Sequence, residues 1–413
     1  MKIAVLQDDL PPHHVGGGGV IAYQLAKEFV RLGHKVLAIT TVQRSEDAGR
    51  ESVDGIDIVR LYSNYHPRYR AYRGLYNPSV VKAVKRLLGD FSPDIVHVHN
   101  VHTHLSYYSL MLARQYGRKV VMTEHDAMSF HFGKLPSAND SLASEQPAHT
   151  LRESFVRQLR MHKWRYNPLR TSIIRYILRR SVHATVAVSA ALARVLEDNG
   201  ICVHSVIHNG IDAKEWGRPA DVEAFVNKHR LRDCVIFFGG RLSEPKGAIQ
   251  MIEAMPAICI SAPGAQLLVA GKQDAFAERM AVHAARLGVE KNLVFTGWIS
   301  GDELKSAYHA SRVVVAPSVY LDPFPTVNLE AFAAGKPVVA TCFGGSREIV
   351  EDGVSGYVVN PLNVKALAAK VADFLTDKEK AKQFGVAGHG RVARDFTLGG
   401  QARAYENIFT ELR

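Results

Sequence analysis

Two carboxylates, Asp322 and Glu330, lie within one short stretch, 312–351, that reads RVVVAPSVYLDPFPTVNLEAFAAGKPVVATCFGGSREIVE. The apolar run 313–316 predicts a buried parallel strand. Pro317 ends that strand, and a loop carries Asp322, Pro323, Phe324 and Pro325. Thr326 reads as the N-cap of a short helix over 327–334, stopped by Gly335 and Pro337. A second strand over 338–341 runs into the Gly344-Gly345 turn. Such a strand–helix–strand unit sets its loops at the strand carboxyl ends, where open α/β sheets bind ligands. Free backbone N–H groups at Thr326, Val327 and Asn328, helped by the helix dipole, would face an anion. One turn on, Glu330 can accept hydrogen bonds from a pair of sugar hydroxyls. A diphosphate beside a ribose is half of a nucleotide. The plain competing reading is a buried strand–helix–strand unit whose carboxylates only cap.

Other chemistry-bearing residues follow strand ends. His97, His99, His102 and His104 alternate closely enough to suggest a metal, since imidazole is a common zinc ligand. No Cys or Asp clusters with them, so lining of a cleft is the reading preferred here. His125 follows a strand over 120–123, at a position that favours a site over the core. Four glycines, Gly16 to Gly19, precede a helix over 20–32. Gly17-x-Gly19-x-x-Ala22 formally matches a dinucleotide fingerprint, but the glycines do not follow the strand directly. The second strand, 35–41, also lacks the acidic ribose ligand, so the dinucleotide reading fails.

The segments D-P-F-P-T-V-N-L-E, A-F-A-A-G-K-P-V-V-A-T and G-G-S-R-E-I-V resemble the E-x7-E region of family-four retaining glycosyltransferases. H-N-G-I-D at 208–212 resembles that family's domain junction. The resemblance implies an α/β chain of GT-B architecture, two Rossmann-like domains facing each other across a cleft. It implies a nucleotide-sugar donor (UDP-, GDP- or ADP-sugar), no cofactor and no catalytic metal. Glu330 takes the ribose role. Asp322 stands where the family has a glutamate near the donor sugar, and is one methylene shorter. Arg241 and Lys246, after a strand over 235–238, take the diphosphate clamp. A leaving nucleoside diphosphate gains negative charge, which cations stabilise. Gly17 and Gly18 fall in the loop that approaches donor phosphates, and His125 matches the histidine near the reaction centre. Thr326, Val327 and Asn328 complete the donor-binding set. The implied reaction is a retaining hexosyl transfer to an acceptor hydroxyl on a glycan, a lipid-linked acceptor or an anionic one. The leaving phosphate would take the proton. A non-catalytic nucleotide-sugar binder, and a GT-B phosphorylase with a pyridoxal lysine, are the alternatives.

These residues need two domains, and 413 residues supply them. The expected division is 1–209 on the acceptor side, 210–397 for the nucleotide sugar, and a helix at 398–413 returning to the first domain. The first sheet is expected to close with a strand over 183–189. Cys202, Cys234, Cys259 and Cys342 form no C-x-x-C pair, which fits reduced thiols in a cytoplasmic protein. A strand begins at residue 2, so no signal peptide is expected. No apolar run approaches the ~20 residues that span a bilayer. Tyrosines and arginines alternate from Tyr62 to Arg73, which reads as an acceptor-facing surface with Arg68, Arg70 and Arg73, and no nucleic acid partner is expected. The net charge of +11 is concentrated, because nine Lys and Arg against Glu153 alone give 151–180 a charge of +8. With Phe155, Trp164 and isoleucines interleaved, this is either a basic amphipathic helix on an anionic inner membrane face or a solvated face.

Overall fold

The computed structural model describes residues 1–13, 16–135, 152–218 and 221–412. The sequence also predicts a polar insertion over 136–147, which lies outside these. The chain divides into two compact units. Among the described residues one comprises 1–134, 152–209 and 398–412, and the other Leu135 with 210–397.

The first unit is an eight-stranded sheet. Its strands are β1 (Lys2–Leu6), β2 (Lys35–Val42), β3 (Gly49–Val53), β4 (Ile56–Tyr62), β5 (Ile95–Val98), β6 (Lys119–Glu124), β7 (Ala184–Ala187) and β8 (Ser205–Val206). Their order is β3-β4-β2-β1-β5-β6-β7-β8, parallel except for β3. β1 lies between β2 and β5, with Ile3 opposite Val36 and Ile95. Ile3, Val5, Val36 and Ile95 are all buried, as both-face coverage by helices requires.

The helix Gly17–Arg31 begins on the glycines themselves, three residues earlier than the sequence suggests. Glycine is a poor helix former, but packing overrides propensity here. A Cβ on Gly19 would collide with the Asp9 carbonyl, so only glycine lets this turn approach that loop. The last helix, Leu398–Glu411, packs in this unit, with Phe409 and Phe29 ring centroids 5.5 Å apart.

The sheet does not close at 183–189. β8 pairs outside β7, and two residues are too few to show any periodicity. The basic segment is also not one helix. It forms Phe155–His162, a 3₁₀ turn at Lys163–Arg165, and Arg170–Ser181. Pro168 stands between the turn and the second helix, where it cannot donate a backbone hydrogen bond.

The second unit has a six-stranded parallel sheet: β9 (Val235–Gly239), β10 (Gln266–Ala270), β11 (Leu293–Gly297), β12 (Val313–Ala316), β13 (Val338–Thr341) and β14 (Gly356–Val359). The order is β11-β10-β9-β12-β13-β14. Its core joins Ile236, Leu267, Val313 and Val339 to Met251, Ile252 and Met255 of helix Ala248–Ser261 and to Phe374 of helix Val364–Thr376. Among the parallel strands of each sheet the order reverses once, between β1 and β5 and between β9 and β12. Open parallel sheets leave a crevice at that point, beyond the carboxyl ends of the two strands.

Candidate functional site

In the first unit the reversal point carries Gly18, Asn100 and His125. A Cβ on Gly18 would meet the Asn100 side-chain nitrogen at 3.0 Å and the His125 ring at 3.9 Å. Asn100 is fixed because its N–H donates to the Gln7 side chain and its carbonyl accepts the Asp8 N–H, at 2.9 and 2.7 Å. The buried Asp8 carboxylate accepts the N–H groups of Thr103, His104 and Leu105 at 2.7–2.8 Å, which sets the loop after β5.

The four histidines separate into different roles. His97 and His99 are buried in the core and do not line an open surface. His97 Nε2 bonds Thr123 Oγ1 at 2.8 Å, and Thr123 in turn bonds the Tyr405 hydroxyl at 2.8 Å. His99 Nδ1 bonds His125 Nε2 at 2.9 Å. His102 faces Asp126 at 3.9 Å, and His104 bonds Ser63. His97 and His99 therefore keep their rings together, with centroids 4.2 Å apart, while His102 and His104, in the loop beyond β5, find other partners. Among the described residues no three His, Cys, Asp or Glu side chains converge to hold one metal ion. His125 is partly buried and is oriented by its bond to His99. Burial pushes it down to about 4, so its ring is neutral at pH 7.

In the second unit Lys246, from the 3₁₀ turn Glu244–Lys246 after β9, meets Asp322, from the loop after β12. Lys246 Nζ lies 2.7 Å from Asp322 Oδ2, and Ser318 Oγ donates to the same oxygen at 2.8 Å. Asp322 is 5 % exposed. Burial alone would push the Lys246 ammonium down, but the carboxylate of Asp322 outweighs it and holds the lysine charged. The Tyr320 ring lies 5.4 Å from the ammonium. Gly344, at φ +82°, lets the turn after β13 lie against Asp322, and the Gly345 N–H donates to the Asp322 carbonyl at 2.9 Å. A Cβ on Gly344 would overlap the Asp322 backbone. Arg241 is exposed and makes no ion pair among the described residues.

The adjacent helix runs Thr326–Ala333 with Pro325 at its N-cap, so Thr326 is its first residue and not the cap. The Asn328 N–H donates to the Pro325 carbonyl at 3.1 Å and is therefore not free for an anion. The N–H groups of Thr326 and Val327 have no acceptor among the described residues. Glu330 Oε2 accepts the Tyr308 hydroxyl at 2.5 Å. Burial raises the Glu330 carboxyl, while donation from Tyr308 and Thr326 opposes the shift. Tyr308, Tyr320, Ser318 and Asn100 were not foreseen. The tyrosines read as core aromatics in sequence, and only Tyr320, two residues before Asp322, had a neighbour that could have drawn attention to it.

A cation held beside a carboxylate, two free N–H groups at a helix start, and a second carboxylate one turn on are groups able to bind an oxyanion and hydroxyls. The family described as Glycosyltransferase Family 4 matches residues 15–215, and the family described as Glycosyl transferases group 1 matches residues 220–391. An uncharacterised glycosyltransferase of Methanocaldococcus jannaschii is 29% identical over 382 residues, covering 91% of this chain and 90% of its own. Among solved structures, sucrose-phosphate synthase from Thermosynechococcus elongatus superposes with a TM-score of 0.78 at 23% identity, covering 100% of this chain and 98% of that one. An Anabaena protein solved with UDP and glucose has a TM-score of 0.73 at 20% identity, with both chains covered in full. The chain belongs to the group 1, family-four glycosyltransferases and has the two-unit α/β fold called GT-B.

Proposed function

We propose that this glycosyltransferase moves a hexosyl group, with retention of configuration, from a nucleoside-diphosphate sugar to an acceptor hydroxyl. The observation that carries the reading is the Lys246–Asp322 pair beside the free N–H groups of Thr326 and Val327, with Glu330 one turn further on. Lys246 and the helix start bind the diphosphate and stabilise the charge it gains as the glycosidic bond breaks. Glu330 holds the ribose hydroxyls, and Arg241 joins the phosphates from its exposed position. Asp322 holds Lys246 and faces the donor sugar. Neutral His125, with Gly18 beside it, contributes from the first unit. The acceptor is a glycan, a lipid-linked glycan or an anionic molecule. The relative solved with UDP and glucose supports a uridine donor as the first to be tried.

A panel of UDP-, GDP- and ADP-sugars, assayed for donor hydrolysis and for transfer, tests the reading. Turnover with one donor is expected. Tight binding of a nucleotide sugar without hydrolysis or transfer would instead make the chain a binder. Phosphate-dependent release of sugar phosphate would make it a phosphorylase.

The proposed setting is the cytoplasm, in peripheral contact with an anionic membrane. No helix among the described residues is long and apolar enough to cross a membrane. The outward surface of 152–181 supports docking by contact, since Val156, Leu159, Met161, Leu169, Ile173 and Tyr176 are exposed among its cations.

A further inference from the structure

The second unit has a cavity of about 320 Å³ at the amino ends of its central strands, the end of the sheet opposite Lys246 and Asp322. Arg312 immediately precedes β12, Lys336 lies two residues before β13, and Asp233 lies two residues before β9. Lys378 and Lys382, from the first turns of the 18-residue helix Lys378–Asp395, form another wall, with His309 beside them. Four basic side chains thus line a space that holds one acidic side chain, Asp233. That carboxylate is 87% exposed and lies 3.6 Å from Lys378, at the rim.

The inner pair is what a solvated surface does not explain. Lys336 Nζ donates to the His309 carbonyl at 2.7 Å and Arg312 Nη1 to the Leu375 carbonyl at 2.9 Å. Neither has a carboxylate partner among the described residues. Burial, and then the neighbouring Arg312 charge, push the Lys336 ammonium down to about 8. Bringing two like charges together out of water costs free energy, and a bound anion returns it. The start of a long helix adds a favourable dipole on the same side. The side chain of its N-cap, Asp377, accepts the Lys380 N–H.

We propose that this cavity is a second anion site, which takes the phosphate group of a small phosphorylated metabolite and is separate from the donor site. The volume falls within the range of small-molecule pockets, about 300–1,000 Å³. Arg312 and Lys336 meet the phosphate from below, and Lys378 and Lys382 close over it. The site is placed to affect donor chemistry. Gly335 and Lys336 end the helix whose first turn carries Thr326 and Val327, and eight residues of helix span only about 12 Å.

Sulfate, dianionic at every working pH, is the probe. Calorimetric titration uses the full chain carrying Lys246→Ala, so that the donor end loses the buried ammonium that would hold an anion. That protein is expected to bind one sulfate. Adding Lys378→Glu and Lys382→Glu, both at exposed positions that leave the core untouched, should weaken binding at least about tenfold, the scale of losing charge-assisted hydrogen bonds. Lys336→Met should do the same, with a melting profile to verify folding. Absence of saturable sulfate binding in the Lys246→Ala chain would overturn the site. An affinity unchanged by the double charge reversal would also overturn it.

Discussion

Lys246 and Asp322 act as a pair, and this alters what a single substitution should do. Read from sequence, Asp322 touches the donor sugar alone, so Asp322→Asn would spare a bare nucleoside diphosphate. The 2.7 Å contact gives Asp322 a second task, keeping a half-buried ammonium charged and aimed. Lys246→Ala is expected to lower turnover by roughly 10²–10³, the usual scale for a lost transition-state partner. Asp322→Asn should weaken the bare diphosphate as well as the sugar nucleotide. In a double-mutant cycle the two changes should be non-additive by about 1 kcal/mol or more, as for residues in contact. Strict additivity, measured by calorimetry on the nucleotide, would separate the two roles again. Glu330→Gln is expected to weaken the bare diphosphate through the ribose. The two carboxylates stood out in sequence because polar residues punctuate an apolar run, whereas Lys246 was assigned by the family resemblance. The tyrosines that orient them did not stand out, since a buried Tyr308 has the same pattern as a packed aromatic.

The elements around β5 and β6 set a pH dependence that the histidine pattern alone did not foretell. Burial holds His97 near 3 and His125 near 4, and pushes His99 well below the usual histidine range. As the pH falls below about 6.5, the unfolded chain takes up protons at these rings that the folded unit refuses, so stability falls. Glu124, at the end of β6, runs the other way. Burial pushes its carboxyl up to about 8, with the Ser129 hydroxyl donating to it at 2.5 Å. Between about 4.5 and 8 the folded unit keeps a proton that the unfolded chain releases, so stability falls as the pH rises through that window. Glu124→Gln should therefore flatten the alkaline limb of the melting temperature, followed from about pH 5 to about pH 9, and leave the acid limb in place. An alkaline limb of unchanged slope would mean that Glu124 is ionised in the fold. Missed elements at this scale have physical causes. β3 is polar and wholly exposed, so no alternation marked it, although Asp54-Gly55 is a hairpin signal that could have been used. The helix over Gly17–Arg31 starts on residues that propensity assigns to a loop, because the Asp9 backbone lies too close for any side chain.

Over the whole molecule, two parallel sheets each place their candidate chemistry beyond the carboxyl strand ends at a reversal of strand order. The second unit was the more legible, since its site lies in one contiguous stretch and one glycine-flanked turn. The first was less so, because Gly18, Asn100 and His125 converge from a helix start and two separate loops. Charge is the property that concerns the chain as a body. Within 152–181 the single acid, Glu153, turns inward with its side chain 2% exposed, beside His131 and Arg157. Arg170 also turns inward, 2% exposed, and its Nη2 donates to the Met128 carbonyl at 2.6 Å. What faces solvent is therefore cationic and apolar at once. Arg152, Arg157, Arg160, Lys163, Arg165, Arg179 and Arg180 stand among Leu169, 65% exposed, and Tyr176, 58% exposed. A merely solvated face gains nothing from such apolar exposure, whereas an anionic bilayer rewards both. Each basic side chain near such a surface contributes about 1 kcal/mol, so several together give reversible docking. The attraction should weaken with salt, as the screening length falls from ~10 Å at 0.1 M to ~3 Å at 1 M. Co-sedimentation with anionic vesicles is expected at low salt, with release at high salt and no binding to neutral vesicles. Replacing Leu169 and Tyr176 by serine should reduce binding without changing its salt dependence. Protein that stays in the supernatant with anionic vesicles at low salt would rule out membrane docking and leave a soluble anionic acceptor as the partner for this surface.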